Sequence, residues 1–275
     1  MEHLPESISG LYQRANSRLG EWFIPRYSEV LTITSKSPKA SIGFVRGALG
    51  QVPYNCSLRD CCDYALTNGQ RHLGALARAL DSSAGDALRD RVQHKQNLIL
   101  IDLGSGPGLS WLLFAEAQFG QTNPIDMSVV NIDHSPNMHV IARKASDLAT
   151  SIHPHLQDIS FRFTRDIKFI DSFASSELST DTVIVLILNH ILHQKSETKE
   201  PVPVFVSQAL EAISRLAKRS GSSEIVGISI EPANLNIGFG KRGLVQEIQK
   251  HQGSIIAEAR ISGDRAGKSV AAFKF

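Results

Sequence analysis

Two rhythms of apolar and polar positions run along this chain, and they change over near residue 96. Before it, apolar side chains recur three and four residues apart, the spacing of a helix that hides one face. In "ISGLYQRANSRLGEWF" the residues Leu11, Ala15, Leu19 and Phe23 fall on one such face. Residues 31–55 carry Ser, Pro and Gly at short intervals and predict irregular chain. "SLRDCCDYALTNGQRHLGALARAL" predicts two helices separated at Asn68-Gly69, with Leu73, Leu76 and Leu80 as the stripe of the second.

After residue 96, short unbroken apolar runs alternate with amphipathic stretches. Strands are predicted at 97–103, 127–133, 159–165, 182–188 and 223–230, with two more at 253–261 and 269–275. Helices are predicted from Pro107 to Gln118, from Pro136 to Thr150, from 204 onward and over 241–251. The third of these sets Val206, Leu210, Ile213 and Ala217 on one face and has Gly221 just past its end. Strands that are apolar throughout, interleaved with such helices, predict an α/β fold whose mostly parallel sheet is covered on both faces. The expected organisation is a mostly helical region over 1–95 and an α/β domain over 96–275.

Composition adds limits. The 275 residues are 42% hydrophobic and 20% charged, which is ordinary for a globular protein. A net charge of +2 does not announce a nucleic acid or an acidic membrane surface. "MEHLPESISG" has no apolar core of a secretory signal, and "VIVLIL" is far too short to span a bilayer. Cys56, Cys61 and Cys62 are an odd, sparse set without metal-ligand spacing, as expected of buried thiols in a reducing, cytoplasmic setting.

The candidate chemistry starts at "LILIDLGSGPGLSW" (98–111), where Gly104, Gly106 and Gly108 follow Asp102 at alternate positions. A phosphate-cradling P-loop needs a lysine after its last glycine, and none is there. A dinucleotide turn needs a small residue where Leu109 stands, and Asp102 would repel a pyrophosphate. A ligand with positive charge and no phosphate turns that carboxylate into an asset. The stretch resembles the first motif of class I S-adenosylmethionine-dependent methyltransferases, Asp-x-Gly-x-Gly-x-Gly after an apolar strand.

That resemblance extends over about residues 96–235 and implies a seven-stranded sheet of order 3-2-1-4-5-7-6 with the last strand antiparallel. It implies S-adenosylmethionine as cofactor, held at the turn by Asp102, Gly104, Ser105, Gly106 and Gly108. Asp133, in "VVNIDHSPNMHVIARKA", would accept from both ribose hydroxyls, with His134 beside it. Asp126 is the competing acid if the strand is placed differently. Asp166, in "FRFTRDIKFI", would accept from the adenine amino group, with the Ile167 N–H available to the ring. The pair Glu231-Pro232 is a further, looser likeness.

The methyl acceptor is less marked. "LNHILHQ" after the fourth strand offers Asn189, His190 and His193 as catalytic candidates, since a neutral imidazole can take a proton. No third ligand accompanies the two histidines, so no metal is expected. The amino-base motif with Pro-Pro-aromatic is absent, and no cysteine follows Cys62 to act as a nucleophile. Tyr12, Trp22, Phe23, Tyr27, Tyr54 and Tyr64 all precede the glycine turn, in a region expected to cover the acceptor. The expected activity is methyl transfer to oxygen or nitrogen of a small molecule. A protein or RNA acceptor, or a catalytically inactive cofactor-binding scaffold, are the alternatives.

Overall fold

The computed structural model describes residues 10–35, 57–118, 126–173, 178–189, 204–220, 224–232, 240–262 and 267–275. Helices α1 (Leu11–Trp22), α2 (Ile24–Ser35), α3 (Leu58–Tyr64), α4 (Gln70–Leu80) and α5 (Ser83–Val92) come first. Then follow β1 (Asn97–Leu103), α6 (Ser110–Gln118), β2 (Asp126–Ile132), α7 (Pro136–Ile152) and β3 (Ser160–Thr164). A short 3₁₀ segment (Ile167–Ser172) leads to β4 (Thr182–Asn189), α8 (Val204–Ser220) and β5 (Glu224–Pro232). The chain ends with α9 (Gly240–Lys250), β6 (Ser254–Ile261) and β7 (Lys268–Lys274).

The seven strands form one sheet of order β3-β2-β1-β4-β5-β7-β6. Pairings from β3 through β5 are parallel, and β7 runs antiparallel between β5 and β6. Strand alternation divides the core into two layers. Leu98 and Leu100 of β1 face one, with Val183, Val185 and Ile187 of β4, beneath α1–α7. Ile99, Ile101 and Leu103 face the other, with Ile184, Leu186 and Leu188, beneath α8, α9 and the 3₁₀ segment. The helices before residue 96 therefore supply much of one face of the sandwich, and α5 lies over β5, β6 and β7. Ala15, Leu19 and Phe23 are buried as the helical spacing predicts.

Three expectations are corrected. Helix α6 starts at Ser110, not Pro107, because Gly104, Gly106 and Gly108 hold φ of 67°, 51° and 63°, a left-handed backbone no helix can run through. Residues 31–35 are the end of α2, not irregular chain. Asn68-Gly69 does not end a helix. The chain passes through it as a π-helical turn (Ala65–Gly69) with Gly69 at φ −56°, and both residues are buried. Packing has overridden the local stop signal. Helix α5 is an addition to the elements that the apolar pattern predicts. Gly221, Tyr54 and Cys56 lie outside the described residues. No helix among the described residues is long and apolar enough to cross a membrane.

Candidate cofactor site

The site is built at the carboxyl ends of β1, β2 and β4, where open parallel sheets hold their ligands. Register sets Asp102 beside Asn131, and both point to the face beneath α1–α7 by alternation, as does Asn189 at the end of β4. The glycine turn is tied down by the Gly104 and Ser105 N–H groups, which donate to the Ile132 carbonyl at 2.8 and 3.2 Å. Asp133 follows β2 directly and accepts from the Gly106 N–H (2.9 Å) and the Ser135 N–H (2.8 Å). Asp126 opens β2 at the opposite end of the strand, so Asp133 is the acid that meets the turn.

The glycines of the turn differ in purpose. A Cβ on Gly106 would approach nothing nearer than the Tyr64 ring at 3.9 Å, so this residue faces open space. A Cβ on Gly108 would lie 2.7 Å from the Ala142 Cβ and 3.2 Å from Asn131 Oδ1. Gly108 therefore serves the packing of α7 against the turn, and it lines neither of the two cavities described next.

Tyr64, Gly104 and Gly106 separate two adjoining cavities. The larger, about 610 Å³, is lined by Leu103, Ile132, Asp133, His134, Met138 and Phe205 among others. The smaller, about 480 Å³, is lined by Asp102, Ser105, Ser110, Gly69, His72 and Asn189 among others. Among the described residues, neither lining includes a lysine or arginine.

Electrostatically the site is acidic and short of partners. Burial pushes the Asp102 carboxyl up to about 7; the Ser110 hydroxyl opposes the shift and the Asp133 charge adds to it. Burial also raises Asp133, against the two N–H bonds and the neighbouring His139 and His134. The Tyr64 phenol is pushed up to about 12, by burial and then by Asp133. Asp102 Oδ2, Ser105 Oγ and Asn189 Oδ1 are buried without a hydrogen-bond partner. Orphaned acceptors of this kind are costly in a finished structure and mark a place for donors. Asn189 Nδ2 donates to the His72 carbonyl at 3.3 Å, which turns Oδ1 away from that bond.

The other sequence candidates fall as follows. His134 lines the larger cavity, with its ring edge-on to Phe205 at 5.5 Å. Asp166 is exposed, lines neither cavity, and caps the 3₁₀ segment by accepting from the Lys168 N–H at 2.9 Å. Ile167 is buried in the second core layer. His190 and His193 lie outside the described residues. Glu231 is buried on β5. Among the described residues no cluster of His, Cys, Asp and Glu could hold a metal ion. Sequence reasoning missed His72, Met138 and Phe205. Met138 sits within the stretch quoted for Asp133, three residues past the helix cap; the other two carry no local signal.

The strand order and the glycine turn together define a class I methyltransferase fold. No protein-family model matches the chain, and no curated protein matches it in sequence. Solved structures similar to it include magnesium protoporphyrin IX methyltransferase from Synechocystis PCC 6803, at 14% identity and TM-score 0.45, over 86% of this chain and 92% of that one. An S-adenosylmethionine-dependent methyltransferase from Aquifex aeolicus matches at 12% identity and TM-score 0.45, over 80% of this chain and 100% of that one. A tRNA methyltransferase from B. subtilis matches at 12% identity and TM-score 0.41, over 70% and 64%. At these values the likenesses decide nothing about chemistry.

Proposed function

We propose that this protein is an S-adenosylmethionine-dependent methyltransferase acting on oxygen or nitrogen of a small organic molecule. One observation carries the reading. Two buried carboxylates, Asp102 and Asp133, flank a left-handed glycine turn, and among the described residues no lysine or arginine lines the cavities beside them. Such a site favours a ligand with cationic groups and rejects phosphate. The residues fit S-adenosylmethionine. Asp102 Oδ2 and Ser105 Oγ are orphaned acceptors for an ammonium, Gly106 leaves the backbone open, and Asp133 lines the larger cavity.

The bound cofactor would supply a methyl group already activated on a sulfonium. The chain's own task is to position and to exclude water. Gly104, Gly106 and Tyr64 line both cavities and form the neck between them. Tyr64 also presents a ring face to any cationic centre there. Asn189 and His72 border the smaller cavity from β4 and α4 and would orient the acceptor. His190 and His193 follow Asn189 in sequence and would take a proton where the acceptor must lose one. The sparse cysteines favour a cytoplasmic setting.

Calorimetric titration with S-adenosylmethionine tests the cofactor. Asp133→Ala is expected to weaken binding by about a hundredfold, since it removes a buried acceptor and frees the Gly106 N–H. Absence of wild-type binding at millimolar ligand in folded protein would sink the assignment. Transfer of labelled methyl groups to a fractionated extract tests the acceptor. Label is expected in the small-molecule fraction; label in protein or RNA would replace that part of the reading. In the same assay, replacing His190 and His193 with Ala together should lower turnover by about a hundredfold. Unchanged turnover would remove both from the mechanism.

A further inference from the structure

Asn131, on β2, is 1% exposed, and among the described residues neither its amide nitrogen nor its amide oxygen has a hydrogen-bond partner. A buried side-chain amide left in that state is uncommon and costly. Its register partner on β1 is Asp102, and alternation turns both side chains to the face beneath α1–α7. Neighbouring strands lie about 4.8 Å apart, so the two side chains are adjacent. The Ser110 hydroxyl bonds the Asp102 carboxyl, while Asp102 Oδ2 is buried and unpartnered. The glycine turn roofs the pair: a Cβ on Gly108 would stand 3.2 Å from Asn131 Oδ1 and 2.7 Å from the Ala142 Cβ on α7. Asn131 lines neither cavity, whereas Asp102 lines the smaller one. Any effect of Asn131 on a ligand therefore passes through Asp102. The titratable groups around the pair are Asp133 at the end of β2, and Tyr64 and His72 on α3 and α4. From α7 comes His139, whose ring lies 6.3 Å from Phe163, the β3 register partner of Asn131.

We propose that Asn131 is a positioning residue for Asp102: its amide N–H supplies, from beneath the turn, the donor that the charged carboxylate lacks, and thereby sets the pH range over which the site takes a cationic ligand. The proposal rests on the reading above, in which Asp102 meets the cationic part of S-adenosylmethionine. Rotation about the last side-chain torsion brings either end of the Asn131 amide toward Asp102, and that torsion is soft. A hydrogen bond to the ionised form of a carboxyl favours that form. A neutral donor does so without cancelling the charge, so the carboxylate keeps its attraction for a cation. A lysine or arginine in the same place would cancel it. Asp133 carries the same sign of charge as Asp102 and is itself bonded to the Gly106 and Ser135 N–H groups. Burial holds His139 below its ordinary value and pushes the Tyr64 phenol up to about 12, so both are neutral near pH 7.

NMR of the full chain without ligand gives the first test. The Asp102 carboxyl carbon is expected to titrate near pH 7 in wild type, and the Asn131 side-chain amide protons to shift with the same midpoint. Asn131→Val and Asn131→Thr leave side chains of the same shape, and only the second keeps a donor. Asn131→Val should raise the Asp102 midpoint by about one unit, a proton held about tenfold more tightly, and Asn131→Thr should move it by less than about half of that. Calorimetric titration with S-adenosylmethionine gives the second test. Asn131→Val should weaken binding about tenfold at pH 6 and by less than about threefold at pH 8, where about half of the variant's Asp102 is ionised. A loss of the same factor at both pH values, an unmoved Asp102 midpoint in Asn131→Val, or amide protons that ignore the Asp102 titration would each overturn the proposal. The wild-type amide signals decide it even if both variants fail to fold. Failure of S-adenosylmethionine to bind wild type would sink the cofactor reading, and the carboxyl titration, which needs no ligand, would still decide the pairing of Asn131 with Asp102.

Discussion

Asp102→Asn is expected to make the unliganded protein more stable at pH 8 and, at the same pH, to weaken S-adenosylmethionine binding by about ten- to a hundredfold. Both effects come from one buried carboxyl. Its folded pKa stands at about 7 against an ordinary value of 3.8, chiefly because burial disfavours the charge. A raised acid binds its proton more tightly in the folded state than in the unfolded one. The group's contribution to stability is therefore fully present below about pH 4, is lost as pH rises toward 7, and stays lost above it. At about 1.4 kcal/mol per unit the whole span is about 4 kcal/mol, an upper limit that relaxation and water entry reduce. The neutral amide of the Asp102→Asn variant would carry no such cost, and a gain of several degrees in melting temperature is expected at pH 8. The gain should vanish at pH 4.

The same carboxylate is what a cationic ligand needs. Binding should release a proton below pH 7, so wild-type affinity should fall by nearly tenfold per unit from pH 7 to 5, while the variant's stays flatter. Asp133 is also raised by burial, in wild type and variant alike. Melting curves and titrations at pH 5, 6, 7 and 8 check the pattern. A variant that is less stable at pH 8 and still binds like wild type would show that Asp102 is a structural strand terminator. Stability gained and function lost together is the signature of a site whose strain is held for a ligand.

The residues that declared themselves in the sequence did so for a shared reason. Gly104, Gly106 and Gly108 are visible because a left-handed backbone all but demands glycine. Asp102 and Asp133 are visible because a charge at the end of an apolar strand breaks a strong pattern. Period and alternation revealed the strands, and the family resemblance supplied their order, which periodicity alone does not carry. What stayed hidden depends on tertiary placement. His72 and Phe205 reach the cavities from α4 and α8, far along the chain from the turn they surround, and nothing local marks a histidine or phenylalanine as lining rather than core. Asp166 illustrates the converse. An Asp after a strand suits a ligand contact and a helix cap equally well by residue type, and the structure shows the cap. Asn68-Gly69 misled because burial of both residues held the helix through a stop signal.

The second and third glycines of the turn should fail differently when given the same methyl group. Gly106→Ala places its Cβ in open space 3.9 Å from the Tyr64 ring, so the cost to folding is the left-handed backbone alone, about 1 to 2 kcal/mol. That methyl group occupies the neck between the cavities, where the ligand must pass close to backbone, and binding of S-adenosylmethionine is expected to fall by about a hundredfold or more. Gly106→Val, with a branched side chain in the same place, should abolish it. Gly108→Ala meets the Ala142 Cβ at 2.7 Å, which the α7 backbone holds in place, and Asn131 Oδ1 at 3.2 Å. There the backbone cost adds to an overpacking cost, for a sum of about 2 to 5 kcal/mol, and α7 must shift. The expected result is a protein that melts many degrees lower, yet whose surviving folded fraction binds with affinity reduced far less than in Gly106→Ala. Melting temperature and calorimetric affinity, measured on both variants, separate the two roles. If Gly108→Ala is stable and binding-dead while Gly106→Ala binds normally, the neck of the site lies at the other glycine. The cavities would then have to be redrawn around Ala142 instead of Tyr64.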